Sequence, residues 1–150
     1  VDIEVEYEQE NANVPFYGVY VGQSALECEP DTLCYLQNDT IRQFMVDGAD
    51  AVYDMKKVEG RDPYEMFLSG NQPVVSIKNE LCTNGKRLIL FRDSFGSAIA
   101  PILATGYSEV VLVDLRYISS AKIGEYVNFK DADILFLYST MLLNNSQALK

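Results

Sequence analysis

Residues 88–96 read LILFRDSFG, and the folding of this stretch decides the rest of the chain. LILF predicts a buried strand, Asp93-Ser94 a turn, and the apolar FGSAIAPIL that follows predicts a helix. A serine at such a junction has two readings. It stands where many hydrolases and acyl transferases present a nucleophile, with helical N–H groups and the positive dipole end placed to stabilise an oxyanion. It is also, like Asp93, a favoured helix N-cap. The GxSxG elbow is absent, because Arg92 stands two residues before Ser94. No histidine occurs among the 150 residues to act as its base.

Outward from this stretch the chain alternates strand and helix, with strands at 87–92, 109–113 and 133–138 and helices at 95–105 and 119–127. LILF, VVLV and ILFLY are continuous apolar runs, as in parallel strands with helices on both faces. Upstream, Gln72-Pro73 opens the strand VVSI, and LCTNGK turns the chain towards residue 87. Residues 74–138 are therefore read as a βαβαβ layer of a doubly wound α/β sheet. In such sheets ligands bind beyond the carboxyl ends of the strands, where Arg92, Asp93 and Ser94, then Asp114 and Arg116, then Ser139-Thr140 fall. Asp114 and Arg116 are spaced to form a charge pair, either as scaffold or as part of a site. No spacing in the sequence fixes Asp93 and Asp114 as a carboxylate pair.

The first half reads as β-rich and antiparallel. Residues 1–10 alternate Val1, Ile3, Val5 and Tyr7 with acidic residues, the pattern of a half-buried strand. Asn11-Ala12-Asn13 then predicts a turn into a second strand, PFYGVYVG, with Gly18 as a bulge and Gly22 as an exit. Two short segments, 32–36 and 40–46, flank the turn signal Asn38-Asp39. Asp62-Pro63 caps a short helix over YEMFL that ends at Gly70. Asn71, just beyond, is placed either to shape that turn or to donate to an oxyanion.

Composition narrows the functional classes. With 48% hydrophobic and 23% charged residues the chain is globular, of the size of one domain. A formal charge of -10 disfavours nucleic acid and anionic membranes as partners. No apolar run is long enough to span a membrane, and VDIEVEYEQE lacks the features of a signal peptide. Cys28, Cys34 and Cys82 read as isolated thiols, with a small Cys28–Cys34 loop as the alternative in an oxidising compartment. Without histidine or a CxxC spacing, no zinc site is expected, and no other cofactor is called for.

FYGVYVGQSA, PDTL, SGNQPVVSIKN and KRLILFRDSFGSAIAPILATGYSEVVLVDLRYI together resemble the C-terminal part of the DHHW family, over roughly residues 16–142. The most specific element is DSF followed, one helix and one strand later, by DLRY. These are bacterial cell-envelope proteins, mostly Gram-positive, related to SGNH hydrolases and alginate O-acetyltransferase-like proteins. The resemblance implies an SGNH-like three-layer sheet, Ser94 at the nucleophile position, and Asn71, Asp93 and Phe95 shaping the site or holding the oxyanion. It places Arg92, Asp114, Arg116 and Tyr117 around them in support.

The Asp-His-His-Trp motif that names the family, and that supplies the Asp and His partners of the serine in related acetyltransferases, lies upstream of the region matched here. This chain has neither His nor Trp. The missing initiator Met and the opening within an alternating strand point to a piece of a longer protein. The expected function is therefore the C-terminal part of an O-acyl esterase or acetyltransferase acting on surface carbohydrate, inactive by itself. The alternative is a noncatalytic envelope module binding glycan or protein, for which ten tyrosines offer stacking surface.

Overall fold

A computed structural model describes residues 1–150 other than 5, 19, 20, 22, 23, 25, 26, 146, 148 and 150. Leu88 and Leu90 face one way and Ile89 and Phe91 the other, and all four are buried, so strand β5 (Arg87–Arg92) needs cover on both sides. It lies between β6 (Glu109–Val113) and β7 (Ala132–Leu137), parallel to both. Two further strands, β3 (Met45–Asp47) and β4 (Val74–Lys78), complete a sheet of order β3-β4-β6-β5-β7.

Helix α1 (Ser94–Ala104) covers one face, where Ala100 and Ala104 pack against Leu88, Leu90, Val110 and Leu112. On the other face, Ile118, Ile123 and Val127 close over Ile89, Phe91, Val111 and Val113. They belong to a 3-10 turn (Ser120–Lys122), the one-turn helix α2 (Ile123–Tyr126) and their flanks, into which the single helix expected at 119–127 divides. A separate antiparallel pair, β1 (Glu8–Phe16) and β2 (Asp31–Gln37), stacks over Met66, Phe67 and Val58 and reaches α1 through Ala98.

The chain departs from the sequence reading elsewhere too. Strand β4 runs antiparallel to β6, so the parallel layer begins at residue 87 and not at 74. The link from β4 to β5, residues 79–86, falls short of the dozen or so residues that a parallel crossover needs. Residues 1–4 form no strand; Glu4 donates its backbone N–H to Thr105 Oγ1 at 3.1 Å, and Val1 and Ile3 lie against Gly106, where a Cβ would collide with them. Their alternation is used for docking on the α1–β6 loop.

Asn11 to Asn13 lies within β1 as a bulge and not as a turn. Asn13 adopts φ 57°, and its backbone N–H donates to Asn11 Oδ1 at 2.7 Å, so the side chain replaces a ladder bond. Of PFYGVYVG, Pro15 and Phe16 end β1 and Gly18 has φ 58°, while positions 19, 20 and 22 lie outside the described residues. Finally, β7 is an edge strand whose apolar run is open on both faces, whereas the sequence predicted cover.

The Asp62 cap is present, accepting from Tyr64 N–H, but the helix it starts is a 3-10 turn, Pro63–Met66, that stops short of the expected end at Gly70. Cys28, Cys34 and Cys82 are free thiols. No helix among the described residues is long and apolar enough to cross a membrane.

Gly96 fixes how closely α1 rests on the end of β5, since a Cβ there would come within 2.3 Å of Arg92 Cβ. Gly96→Ala is expected to lower the unfolding free energy by about 1–3 kcal/mol in urea titration, the range for overpacking. An unchanged midpoint would contradict this close packing.

Candidate active site

The carboxyl ends of the three parallel strands meet at one cleft of 530 Å³. Strand β5 delivers Arg92, Asp93 and Ser94 in succession. Asp93, buried, is the helix cap: its Oδ1 accepts from Phe95 N–H at 3.1 Å. Its other oxygen, Oδ2, accepts from Ser139 N–H at 2.7 Å, so one carboxylate ties the end of β5 to the end of β7. The two readings of Ser94 separate here. Asp93 performs the capping, and Ser94 stands in the first turn of α1, half-buried and lining the cleft. Among the described residues its hydroxyl makes no hydrogen bond.

The N–H groups of that first turn are apportioned. Phe95 N–H goes to Asp93 Oδ1 and Gly96 N–H to the Asp93 carbonyl at 3.1 Å. Ser94 N–H has no acceptor among the described residues and remains available to a ligand.

Beneath the cleft lies a buried charge cluster. Asp114, at the end of β6, accepts from Arg116 N–H at 3.0 Å and Nε at 2.9 Å through Oδ1, and from Arg116 Nη2 at 2.6 Å through Oδ2. Arg92 Nη1 donates to the same Oδ2 at 3.3 Å, and Nη2 donates to the Gln72 carbonyl at 3.3 Å. Burial pushes the Arg92 pKa down, opposed chiefly by Asp114, while hydrogen bonding to Asp114 raises that of Arg116. Arg92 Nε, by contrast, has no partner among the described residues.

The loop bearing Asn71 is held from both sides. Asp114 N–H donates to the Pro73 carbonyl at 2.9 Å, and Arg92 grips Gln72 as above. Ahead of Asn71, Leu68, Ser69 and Gly70 all have left-handed φ, of 54°, 56° and 86°. Such backbone disfavours Leu and Ser and persists only where contacts enforce it. Here Ser69 Oγ donates to buried Asp54 Oδ2 at 3.0 Å and accepts from Asp50 N–H at 3.0 Å, while Leu68 N–H reaches the Val52 carbonyl at 3.0 Å.

Of the residues singled out from the sequence, Asn71, Asp93, Ser94, Phe95 and Arg116 line the cleft together. Arg92 and Asp114 lie below it, and Tyr117 sits outside the lining with its ring 5.3 Å from the Arg116 guanidinium carbon. Sequence reasoning missed the walls formed by Phe16, Tyr64, Met141 and Leu142. Phe16 and Tyr64 stack at 6.0 Å between centroids, across segments far apart in sequence that carry no shared pattern. Burial, then Asp93 and Asp62, push the Tyr64 pKa up, so its hydroxyl stays protonated as a donor. Tyr138 Oη is buried without a partner among the described residues, and burial, then Asp114 and Asp93, raise its pKa to about 12.

Neither a protein-family model nor a curated protein matches the sequence. Solved structures do. A DHHW family protein from Eubacterium siraeum superposes with a TM-score of 0.65 at 21% identity, over 96% of this chain and 50% of that one. The chain thus shares its fold with part of a DHHW family protein. Bacillus cereus PatB1, solved with a sulfonyl adduct, gives 0.70 at 22% identity, over 91% of this chain and 48% of its own. A second PatB1 structure gives 0.66 at 21% identity over 91% of this chain and 50% of its own. The chain thus spans about half the length of the structures it matches, and at these identities the likeness is one of fold.

The charge cluster makes a direct prediction. Removing the Asp114 carboxylate strands the Arg92 cation, 1% exposed, inside the protein. Asp114→Ala is expected to cost about 3–5 kcal/mol of stability by denaturant unfolding. A loss below about 1 kcal/mol would show that Arg92 does not depend on this carboxylate.

Proposed function

We propose that residues 1–150 form the nucleophile-bearing part of an SGNH-like O-acyl esterase or acetyltransferase. It would act on carbohydrate of the bacterial cell envelope, in a Gram-positive species as the family resemblance implies. The carrying observation is that Ser94, relieved of capping by Asp93, presents to the cleft a hydroxyl and a backbone N–H that have no hydrogen-bond partner among the described residues. The PatB1 likeness adds support, since a similar fold there carries a sulfonyl adduct, the product expected when such a reagent meets an activated nucleophile.

In this reading Ser94 Oγ attacks the acyl carbonyl carbon and its proton passes to an imidazole supplied from outside residues 1–150. The oxyanion is held by Ser94 N–H and the Asn71 side-chain amide. Collapse of the tetrahedral intermediate breaks the acyl C–O bond, and the departing alkoxide takes the proton from the imidazolium. Water or a sugar hydroxyl then attacks the acyl-serine and releases the acid or the new ester. Asp93, Arg92 and Asp114 act as positioning residues, and Arg116, Phe95 and Tyr64 are placed to meet the acceptor. With no histidine, these residues alone leave Ser94 a weak nucleophile.

Turnover of p-nitrophenyl acetate by the complete translation product of the gene is expected to fall by about a thousandfold or more in Ser94→Ala. Residues 1–150 alone are expected to show no turnover above background and no labelling by phenylmethylsulfonyl fluoride. Turnover that survives Ser94→Ala would remove Ser94 from the chemistry. Glycan binding without any Ser94-dependent turnover would favour the noncatalytic module.

A further inference from the structure

Asn71 lines the cleft, is exposed, and makes no hydrogen bond among the described residues. Its side chain has no anchor of its own, so the direction of its amide is set by the backbone on either side. Downstream, Arg92 and Asp114 hold the carbonyls of Gln72 and Pro73. Upstream, the last regular pairing joins segments 52–54 and 66–68. Asp54 N–H donates to the Met66 carbonyl at 2.7 Å and Leu68 N–H to the Val52 carbonyl at 3.0 Å, with Tyr53 and Phe67 bridged between them. This pairing stops at Leu68, short of Asn71.

Beyond Leu68 a side-chain bond takes over from the backbone. Asp54 and Ser69 are both buried. Asp54 Oδ1 accepts from Lys56 N–H at 3.2 Å and Oδ2 from the Ser69 hydroxyl at 3.0 Å, so each carboxylate oxygen has its own donor. The Ser69 hydroxyl accepts in turn from Asp50 N–H at 3.0 Å. Ser69 and Gln72 also line a second hollow, of 420 Å³, with Asp50 and Lys57, whereas Asn71 between them lines the Ser94 cleft. The segment therefore has open space on both sides and room to move. Leu68, Ser69 and Gly70 all stand at positive φ, a strained state for Leu and Ser from which a released segment would relax.

We infer that Asp54 and Ser69 are positioning residues for the Asn71 amide. Their buried bond holds residues 68–70 in the left-handed turn that aims Asn71 into the cleft, and through Asn71 it sets the rate of acyl transfer. The clamp itself stands on the geometry; its effect on rate rests on the reading of Ser94 and Asn71 given above. An oxyanion donor acts only when it is already in place as charge develops, so a turn that relaxes away from the cleft lowers kcat and leaves substrate binding largely untouched.

The test is made on the complete translation product of the gene, with two variants. Ser69→Gly removes the hydroxyl at a backbone conformation that glycine adopts freely. Asp54→Asn keeps the size of the buried side chain, but its single amide oxygen cannot serve Ser69 and Lys56 separately. In both, the 15N order parameter of the Asn71 amide is expected to fall from about 0.85 to below about 0.6, with the amides of β5 and β6 still ordered. In both, kcat for p-nitrophenyl acetate is expected to fall at least about tenfold with KM within about twofold. In an Asn71→Ala background, itself down by about a hundredfold, Ser69→Gly is expected to change kcat by less than about twofold, since the group it positions is gone. An Asn71 amide that is mobile in the parent, or equally ordered in parent and variants, overturns the clamp whatever the turnover. Losses that multiply in the Asn71→Ala background overturn the positioning role, in favour of a general effect on the fold. Turnover that survives Ser94→Ala refutes the nucleophile reading and with it the effect on rate, while a fall in the Asn71 order parameter would still support the clamp.

Discussion

The Asp114 carboxylate, buried at the end of β6, is the constraint on which the rest of the cleft depends. It receives four hydrogen bonds, one from Arg92 and three from Arg116, and every one comes from a residue that shapes the site. Arg92 is the residue that Gly96 packs against, so the charge pair sets the height of α1 over the sheet. Through Gln72 the same guanidinium holds the loop that carries Asn71. A buried ion pair is poor value as pure stabilisation, because desolvation offsets most of its attraction. What it supplies here is position: the loop at 72–73, the junction of β5 with α1 and the end of β6 are all referred to one carboxylate.

Where the sequence was legible, the reason is periodicity. LILF and VVLV are apolar throughout because both sheet faces are covered, and that pattern identified β5 and β6 and the helix between them. The ends of those two apolar runs placed Asp93 and Asp114 at the carboxyl edge of the sheet. The Asp-Pro signal at Asp62 also held, since a cap and a fixed φ act locally. All of these depend on interactions within a few residues or on one buried face.

Failures arose where a local pattern had more than one tertiary use. The alternation of residues 1–10 satisfies a strand, yet in the fold Ile3 and Val1 rest on a loop without a neighbouring strand. The direction of β4 is invisible in VVSI and is set by the short chain to β5. Asp93 and Ser94 are both good caps, and their roles separate only in the fold, where Asp93 Oδ1 takes the Phe95 N–H and Ser139 N–H holds the second Asp93 oxygen. The aromatic walls of the cleft come from Phe16 and Tyr64, whose meeting no local pattern encodes.

Leu68 shows how tightly the approach to the cleft is specified. Its backbone is left-handed, a state that glycine adopts freely and that costs other residues about 1–2 kcal/mol. Its side chain is fully buried in the same cluster as Leu88 and Leu112, where glycine would leave a void. Backbone and side chain therefore ask for incompatible residues, and any drift at this position exchanges torsional strain for lost packing. The segment ahead of Asn71 is thus a point of frustration, with fewer acceptable sequences than its loop-like appearance suggests.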